Sequence, residues 1–230
     1  MTNNIAFDIG AYTGDTTDKL LTVYDRVICV DANPNMINLL RKKYDNTSVE
    51  IIEGCISDLT NDVTFYISTK SDWCSSKKEI AERLNEAQTI QVKPLNIVDI
   101  IETHGCPKYL KCDIEGSDVI LLKQLAKSPY RPLYLSCESE CIGNRDIDLS
   151  ADEDLNVLNE MKNLGYNKFI LVNQKYNRIN ETNVFFNNYN FEALTNYWLS
   201  YDDIKTLMRS INRVQYSKYH YWFDIIATNN

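Results

Sequence analysis

Four acidic side chains follow two apolar runs in the middle of the chain. Asp113 and Glu115 close the run KYLKCDIEG, and Glu138 and Glu140 close the run RPLYLSCESE. Because side chains alternate along a strand, the two acids of each pair point the same way while the strand lasts. Repulsion between close like charges raises the pKa of at least one carboxyl group toward the range of a general base. We therefore expect Asp113 to take a proton from a hydroxyl group and Glu138 to orient that group, with Glu115 and Glu140 as further contacts to the same molecule.

The same acids allow a second interpretation, because two or three carboxylates at neighbouring strand ends can hold Mg²⁺, which binds and acidifies a hydroxyl group. Nothing in the sequence decides between base chemistry and metal ligation, so both stay open. Some of these acids, Glu115 or Glu140 above all, could instead cap helices or pair with Lys111 or Arg145. His220, in YHYWFD before the last apolar run, is a further candidate base.

The stretch FDIGAYTGD, Phe7 to Asp15, carries two glycines between an apolar run and a helical pattern. Its spacing differs from the G-x-G-x-x-G turn of hydride-transfer enzymes and is similar to motif I of S-adenosylmethionine-dependent methyltransferases. Gly10 would let the backbone approach a ligand closely, and Gly14 would permit tight helix–strand packing. Asp8 can pair with the cationic amino group of a methionine moiety, directly or through a water molecule. The predicted cofactor loop consists of Asp8, Gly10, Ala11, Tyr12, Thr13 and Gly14.

A further acid, Asp31, stands at the end of the next apolar run, VICVDAN. A carboxylate roughly 20 residues after such a loop accepts two hydrogen bonds from a ribose diol, and the adenosine of S-adenosylmethionine carries that diol. Asp31 could instead interact with the dipole of the following helix. Ala32 and Asn33 complete the predicted ribose site.

The segment GCISD, after the third apolar run, predicts the wall around the adenine. Ile56, beside Cys55, could pack on the face of the base, and Ser57 or Asp58 could meet its exocyclic amine. Asp113, at the end of a neighbouring strand, is counted among the cofactor-binding residues as well as among the catalytic ones.

Apolar runs alternate with amphipathic stretches, which indicates strands alternating with helices. The predicted strands are IAFDIG, RVICVDA, VEIIEGCI, KYLKCDIEG, RPLYLSCESE, KFILVNQ and YWFDIIAT, with DVTFYIS as an extra strand. This alternation predicts an α/β fold with a Rossmann-like, doubly wound, seven-stranded and mostly parallel sheet. Right-handed crossovers bring the carboxyl ends of parallel strands to one edge, where ligands bind. We expect one domain over residues 1–230, with a helical insertion, partly a lid, at about 173–217.

The net charge and the cysteines of the chain argue against several classes of function. The chain has 230 residues and a net charge of −8, which argues against a nucleic-acid partner, because phosphate binding needs a basic surface. Its seven irregularly spaced cysteines include no C-x-x-C pair, which predicts a reducing compartment without a disulfide framework or a zinc site. The sequence shows no signal-peptide pattern and no apolar run long enough to span a bilayer. We expect a cytoplasmic protein without a membrane partner, and no pattern predicts its oligomeric state.

The chain resembles the FkbM family of S-adenosylmethionine-dependent methyltransferases over most of its length, and the strand end K-x-D-x-E-G is the most specific match. The matching pieces are, in order, FDIGAYTGDTT, VICVDANPNMINLL, CISDLTNDVTFYIS, SDWCSS, VKPLNIVDIIETHGCPKYLKCDIEGSDVILL, PLYLSCESE, LGYNKFILVNQ and YWFDIIA. The resemblance implies a class I methyltransferase fold, S-adenosylmethionine as methyl donor with S-adenosylhomocysteine as product, and methyl transfer to a hydroxyl group of a sugar, a glycan or a polyketide-type molecule. It also implies that Ser75 and Ser76 of SDWCSS contact this acceptor.

The chain departs from the family pattern at three places. The family often has asparagine where Tyr12 stands, Glu-Pro where Asp31-Ala32 stands, and aspartate where Asn96 stands, although Asp31 preserves the chemistry. Two other function classes stay open: a nicotinamide-dependent oxidoreductase on a similar fold, against which the missing G-x-G-x-x-G counts, and a non-catalytic cofactor-binding module.

Overall fold

The structure, a computed structural model, describes residues 4–70, 73–139, 155–182, 184, 186, 189–211 and 223–230. The chain divides into two compact units, Met1–Pro132 and Leu133–Asn230. The division falls within the predicted strand RPLYLSCESE, inside what the sequence predicts as a single domain.

The first unit contains the glycine loop and most of the predicted cofactor residues. Its strands are β1 (Ile5–Ile9), β2 (Arg26–Asp31), β3 (Val49–Glu53), β4 (Cys55–Ile56), β5 (Val63–Ile67), β6 (Gln88–Val92), β7 (Pro94–Leu95) and β8 (Tyr109–Cys112). Its helices are α1 (Asp15–Leu20), α2 (Pro34–Lys43), α3 (Lys78–Ala81), α4 (Ile97–His104) and α5 (Asp118–Ala126). The sequence analysis does not predict β6, β7 or α3, which are short or largely exposed.

Four of these strands form a parallel sheet in the order β8-β1-β2-β3. All five residues of β1 are buried, as expected of a central parallel strand that is covered on both faces. The register pairs Asp8 of β1 with Lys111 of β8, and Ile9 with Val30 of β2. The carboxyl ends of these strands therefore lie along one edge, and the residues that follow them are neighbours.

Helix α2 begins where its sequence pattern predicts. The Asn33 side chain accepts a hydrogen bond from the Asn35 backbone N–H at 3.0 Å, and Pro34 stands at the first helical position, where its fixed φ suits a helix start. Because Asp31 lies two residues before this cap, the cap also fixes the backbone beside the predicted ribose site.

A small antiparallel hairpin of β5 and β6 packs over the carboxyl end of β2. Val63, Phe65 and Val92 of the hairpin form one apolar cluster with Ala32 and Cys55. The hairpin thus covers two residues that the sequence predicts to border the cofactor.

The second unit contains β9 (Tyr134–Ser139), α6 (Asn156–Asn163), β10 (Lys168–Asn173), β11 (Arg178–Ile179), α7 (Tyr201–Ser210) and β12 (Phe223–Thr228). Its strands pair antiparallel in the order β11-β10-β12-β9, so β9 and β10 run in the same direction. All seven predicted strands are present, as β1, β2, β3, β8, β9, β10 and β12. The Rossmann-like α/β fold class is confirmed.

The described part of the insertion at 173–217 packs into the second unit. Phe191, in a 3-10 helix, and Trp198 contact Tyr134, with ring centroids 4.6 and 6.1 Å away. Tyr134 begins β9, whereas Glu138 stands roughly 13 Å further along the same strand. Phe191 and Trp198 therefore lie toward the amino end of β9, and a lid in another part of the insertion stays a prediction.

Two general properties concern the described residues as a whole. No helix among them combines the length and the apolar character that crossing a membrane requires. Their six cysteines are free thiols.

Candidate functional site

Asp31 is the centre of a hydrogen-bonded turn at the end of β2. Its Oδ2 accepts from the Tyr12 backbone N–H at 2.8 Å, and its Oδ1 accepts from the Asn33 backbone N–H at 2.8 Å. Burial raises the pKa of Asp31 to about 6, although the two amide donors oppose the shift. Each carboxylate oxygen carries a second lone pair, so the ionised group can also accept the two hydroxyls of a ribose. The geometry suits the ribose contact, which stays a prediction.

The glycine loop uses its backbone amides within the protein. The amides of Gly10 and Ala11 donate to the Val30 carbonyl at 2.9 and 3.1 Å, and the amide of Gly14 donates to the Ala11 carbonyl at 2.8 Å. The Tyr12 amide is bound to Asp31. A turn that cradles a phosphate presents such amides to its ligand, and here four of them are engaged internally.

Both glycines of the loop have left-handed backbone conformations, but the close approaches that require glycine differ from those predicted. Gly10 has a φ of +85°, and a Cβ there would lie 1.8 Å from the Asp113 carbonyl oxygen. Gly14 has a φ of +83°, and its Cβ would lie 2.5 Å from the Tyr44 hydroxyl oxygen. Gly10 therefore admits the backbone at the end of β8, and Gly14 admits the residue after α2. The approach of a ligand to Gly10 stays a prediction.

Helix α2 ends in two side chains that hold this loop. The Lys43 Nζ donates to the Thr13 carbonyl at 3.0 Å and to Asp18 Oδ2 at 2.7 Å. The Tyr44 hydroxyl lies 2.7 Å from both the Gly14 carbonyl and Asp18 Oδ1. One helix thus begins beside Asp31 and ends on the glycine loop. The sequence analysis does not identify Lys43 or Tyr44, because their partners are 25–30 residues away.

Tyr12 occupies an unusual backbone position. Its φ is +50°, a left-handed conformation that asparagine and aspartate tolerate better than aromatic residues. This is the place where the FkbM family often has asparagine, so the backbone requirement at this position accounts for that preference. Tyr12 keeps the amide contact to Asp31 at the cost of backbone strain.

Asp8 is completely buried in the middle of the parallel sheet. Its Oδ2 accepts from the Thr17 hydroxyl at 2.7 Å, while its Oδ1 is buried without a hydrogen-bond partner among the described residues. Burial raises the pKa of Asp8, and the positive charge of Lys111 opposes the shift. Asp8 offers no surface to solvent, and its contact with a methionine amino group, directly or through a water molecule, stays a prediction. The unsatisfied Oδ1 is an acceptor that an ammonium group or a water molecule would satisfy.

The predicted adenine wall is largely apolar and buried. Ala32 and Cys55 are each 8% exposed and Ile56 is 2% exposed. Burial raises the pKa of the Cys55 thiol to about 11, so Cys55 is a neutral side chain in the hairpin cluster. Ser57 is partly exposed, and its carbonyl accepts from the Gln124 side chain at 2.9 Å.

Gln124 is a buried polar residue of α5 that the sequence analysis does not identify. Its Nε2 donates to the Ser57 carbonyl and, at 3.2 Å, to Asp58 Oδ1, while its Oε1 accepts from the Ile97 backbone N–H at 3.0 Å. It ties the end of β4 to the start of α4. The only sequence signal was one amide side chain within the apolar run DVILLKQLA.

Asp113 follows β8 and forms an ion pair. Its Oδ2 accepts from the Lys111 Nζ at 2.9 Å, and the two side chains are 26% and 10% exposed. Carboxylate oxygens of Asp113 and Glu115 lie within 4.8 Å of each other. Both residues follow β8, and Glu115 has a φ of +47°, so a turn brings them together rather than the alternation of a strand. Lys111, which the sequence analysis considers as a partner of Glu115 or Glu140, forms an ion pair with Asp113, two residues further along the chain.

The other predicted catalytic residues belong to the second unit or lie outside the described residues. Glu138 belongs to the second unit, where it is buried on β9 and pairs across the sheet with Asp224 of β12. Glu140 and His220 lie outside the described residues. The roles of these three residues stay predictions.

Ser75 and Ser76 contact the turn after β8. Ser75 is fully buried, and its hydroxyl donates to the Glu115 carbonyl at 2.6 Å. The Ser76 hydroxyl lies 2.9 Å from the hydroxyl of Ser117. In this structure the Ser75 hydroxyl contacts the protein backbone, and its predicted contact with an acceptor stays a prediction.

The hydrogen-bonding groups at the carboxyl ends of β1 and β2 suit an adenosine with a cationic methionine moiety better than a dinucleotide. The carboxylates of Asp31 and Asp8 provide acceptors for hydroxyl and ammonium donors. Asp15 and Asp18 stand in the first turn of α1, where negative charge repels a pyrophosphate group. The internally bonded amides of the glycine loop leave that group few donors.

Comparison with known proteins is consistent with this chemistry. The family described as "Methyltransferase FkbM domain" matches residues 8–168. The chain is 39% identical over 64 residues to a cypemycin N-terminal methyltransferase from Streptomyces sp, a match that spans 28% of this chain and 26% of that protein.

Two solved structures are similar to the chain at low sequence identity. A methyltransferase FkbM from Methylobacillus flagellatus has a TM-score of 0.39 and 16% identity, over 60% of this chain and 33% of that one. An amino pentose methyltransferase from Micromonospora echinaspora, solved with bound S-adenosylmethionine, has a TM-score of 0.35 and 15% identity, over 64% and 47% of the two chains. The matched part is thus about a quarter of the cypemycin enzyme and a third of the Methylobacillus protein.

Proposed function

The chain belongs to the FkbM methyltransferase family, and from this premise we propose that it transfers a methyl group from S-adenosylmethionine to a hydroxyl oxygen of a small acceptor, a sugar or a glycan. The observation that carries the choice of a hydroxyl acceptor is the pair of acids after β8. Asp113 and Glu115 have carboxylate oxygens within 4.8 Å of each other, at the edge where the cofactor residues also lie.

The first unit supplies the groups that would hold the cofactor. Asp31 would accept the ribose hydroxyls, the apolar side chains of Ala32 and Ile56 would face the adenine, and Asp8 would provide a buried acceptor behind the loop. When bound, the cofactor supplies an electrophilic methyl group on a sulfonium centre. The protein has to bring the acceptor oxygen to that methyl group and remove its proton.

Asp113 is the proposed base. An aliphatic hydroxyl is a poor nucleophile until a base takes its proton. The ammonium group of Lys111 fixes one oxygen of Asp113 at 2.9 Å and thereby sets the plane of the carboxylate, and the other oxygen is the one proposed to accept the proton. Glu115 would accept a hydrogen bond from a neighbouring hydroxyl, and two adjacent carboxylates suit the vicinal hydroxyls of a sugar.

An amine acceptor is the second candidate. Two close carboxylates also attract an ammonium group, and the net charge of −8 favours cationic partners. The cypemycin enzyme is named as an N-terminal methyltransferase, so a peptide amine belongs in the test. A nicotinamide-dependent oxidoreductase is disfavoured, because the acids of α1 and the engaged loop amides do not suit a pyrophosphate.

Calorimetric titration with S-adenosylmethionine and S-adenosylhomocysteine, with and without Mg²⁺, tests the cofactor. We expect micromolar binding of both compounds and none of a nicotinamide dinucleotide. Binding of the dinucleotide alone would refute the proposal, and tight cofactor binding without turnover on any acceptor would favour a non-catalytic module.

Transfer of labelled methyl groups to a panel of monosaccharides, nucleotide sugars and short peptides with free amino termini tests the acceptor. Mass spectrometry of the product distinguishes O-methyl from N-methyl groups. Asp113→Asn should lower kcat by roughly 100-fold or more and change the cofactor Kd by less than about threefold. Asp99→Asn, an exposed substitution of the same kind on α4, should have no effect. A near-normal rate for Asp113→Asn would remove Asp113 as the base.

A further inference from the structure

A short segment of the first unit, residues 73–77, runs from the β5–β6 hairpin to the turn after β8, and we call it the strap. Ser75, in its middle, exchanges two backbone hydrogen bonds with Tyr66 of β5, at 2.8 and 3.1 Å. These bonds fix the strap to the hairpin. None of the Ser75 surface is exposed.

The Ser75 hydroxyl holds the turn in which Glu115 lies. It donates to the Glu115 carbonyl at 2.6 Å and accepts from the Lys77 backbone N–H at 2.9 Å. The hydroxyl thus acts both as a hydrogen-bond donor and as an acceptor. Glu115 has a φ of +47°, a left-handed conformation that costs a non-glycine residue about 1 kcal/mol. A conformation of this kind persists only where neighbouring contacts enforce it.

Further residues of the strap and of α3 contact the same turn after β8. The Ser76 hydroxyl lies 2.9 Å from that of Ser117. Gly116 has a φ of +93°, and a Cβ there would meet Ile80 Cδ1 at 2.3 Å and Lys77 Cδ at 3.0 Å. The turn is therefore enclosed on this side, and a shift of its backbone requires a shift of the strap.

The strap also reaches the predicted ribose site. The Asn33 side-chain Nδ2 lies 3.5 Å from the Cys74 Sγ, and Asn33 is the cap that follows Asp31. The five residues of the strap thus contact both the strand end that would hold the cofactor and the turn that carries an acid for the acceptor.

We propose that Ser75 is a positioning residue for methyl transfer: its hydroxyl holds the Glu115 backbone in the left-handed conformation that keeps the Glu115 carboxylate beside Asp113. Without that hydrogen bond the strained residue relaxes and its carboxylate leaves the acceptor position, while Asp31 and its amide partners are untouched. The kinetic consequence rests on the proposed function, whereas the effect on the turn itself does not.

The chain offers a matched control for the Ser75→Ala substitution. Ser68, 7% exposed and at the end of β5, also accepts from the backbone N–H two residues ahead, that of Lys70 at 3.2 Å. Ser68→Ala removes the same kind of buried hydroxyl from the same hairpin but leaves the Glu115 carbonyl bound. Both variants are compared with the wild-type chain by hydrogen exchange of individual amides and by steady-state kinetics.

In Ser75→Ala we expect faster exchange of the amides from residue 114 to residue 118, by roughly 10-fold or more, with no such change in Ser68→Ala. With the acceptor that the panel identifies, kcat/KM for the acceptor should fall roughly 10- to 100-fold, because misplacement by about 1 Å costs up to 100-fold. The KM for S-adenosylmethionine should stay within about threefold, a split that a general loss of stability would not produce.

Unchanged exchange at residues 114–118 in folded Ser75→Ala would overturn the proposal, and so would an equal loss of acceptor and cofactor parameters. If Ser75→Ala does not fold, Ser75→Thr replaces it. That variant keeps the hydroxyl, so faster exchange of the turn in Ser75→Thr would likewise overturn the proposal. A wild-type chain that binds no S-adenosylmethionine would refute the proposed function but would leave the exchange result to decide the role of Ser75.

Discussion

Asp31 is partly buried at the end of β2. Burial disfavours the charged form of a carboxyl group, whereas the proposed hydrogen bonds from a ribose require that form. Burial raises its pKa to about 6, the amides of Asn33 and Tyr12 lower it, and the charge of Asp8 raises it further. A carboxyl group with this pKa changes its charge within one or two pH units of neutrality. Its ligand binding should therefore depend on pH in a range where ordinary aspartates do not titrate.

The first prediction concerns this pH dependence. The ionised carboxylate accepts the ribose hydroxyls, and the protonated form loses that capacity, so affinity for S-adenosylhomocysteine should be full above pH 7 and should fall as the pH drops through about 6. Calorimetry between pH 5 and 8 measures the dependence. Asp31→Asn should bind more weakly, by about 1–3 kcal/mol, with little variation over the same range. An affinity of the wild-type chain that does not change with pH would contradict the ribose role.

Tyr12 gives a second prediction, about stability. Its φ of +50° places an aromatic residue where asparagine is better tolerated, so Tyr12→Asn should raise the free energy of unfolding by about 1 kcal/mol. Denaturant unfolding of the two proteins measures the difference. A lower stability of Tyr12→Asn would mean that the packing of the tyrosine ring outweighs the backbone strain.

Gly10, directly after β1, lies against the backbone of Asp113 at the end of β8. A substitution at Gly10 tests this contact. The position of Gly10 forces the loop against the backbone of Asp113, where an added Cβ would lie 1.8 Å from the carbonyl oxygen. This approach brings the cofactor loop and the proposed base onto the same edge. The two elements are therefore coupled through backbone atoms, which side-chain rearrangement cannot relieve.

The third prediction separates two effects on the free energy of unfolding. One is the steric clash of an added Cβ with the Asp113 carbonyl, and the other is the strain of a non-glycine residue in a left-handed conformation. Gly10→Ala should lower the free energy of unfolding by at least about 3 kcal/mol. Gly165→Ala is the control, because Gly165 has a φ of +96° but nothing within 4 Å of its added Cβ, and it should cost about 1 kcal/mol. Circular dichroism in a denaturant series measures both. Equal losses for the two variants would show that the β8 backbone moves aside.

The distribution of the site over the whole chain gives a fourth prediction. Every predicted cofactor residue lies within Met1–Pro132. A ligand at 100 times its Kd stabilises the state it binds by about 2.7 kcal/mol, which slows the exchange of the amides in that unit. S-adenosylhomocysteine should therefore protect amides around residues 10–14, 31–33 and 55–57.

Hydrogen exchange with mass spectrometry measures this protection, and Asp31→Ala, which binds weakly, is the control at the same ligand concentration. Protection confined to Leu133–Asn230 would place the cofactor on the other unit and would contradict the assignment of Asp31.

The sequence by itself determined the seven strands and the acids at the ends of β2, β8 and β9, because an apolar run of strand length between polar segments is a local signal of a strand. It also located the cap of α2, since Asn33 followed by Pro34 is a local signal. The FkbM resemblance rests on the same strand ends. These features depend on residues close together in the chain, so one sequence suffices to predict them.

Only the tertiary structure decided what those residues touch. Gly10 meets the Asp113 backbone, Tyr44 holds Gly14, and Ser75 holds Glu115 across 40 residues of chain. The sequence also suggested an insertion at about 173–217, and only the structure shows that Phe191 and Trp198 of it pack against Tyr134. Contacts of this kind depend on how helices and strands pack, and a hydroxyl or a glycine carries no local mark of a partner that the fold brings to it from far along the chain.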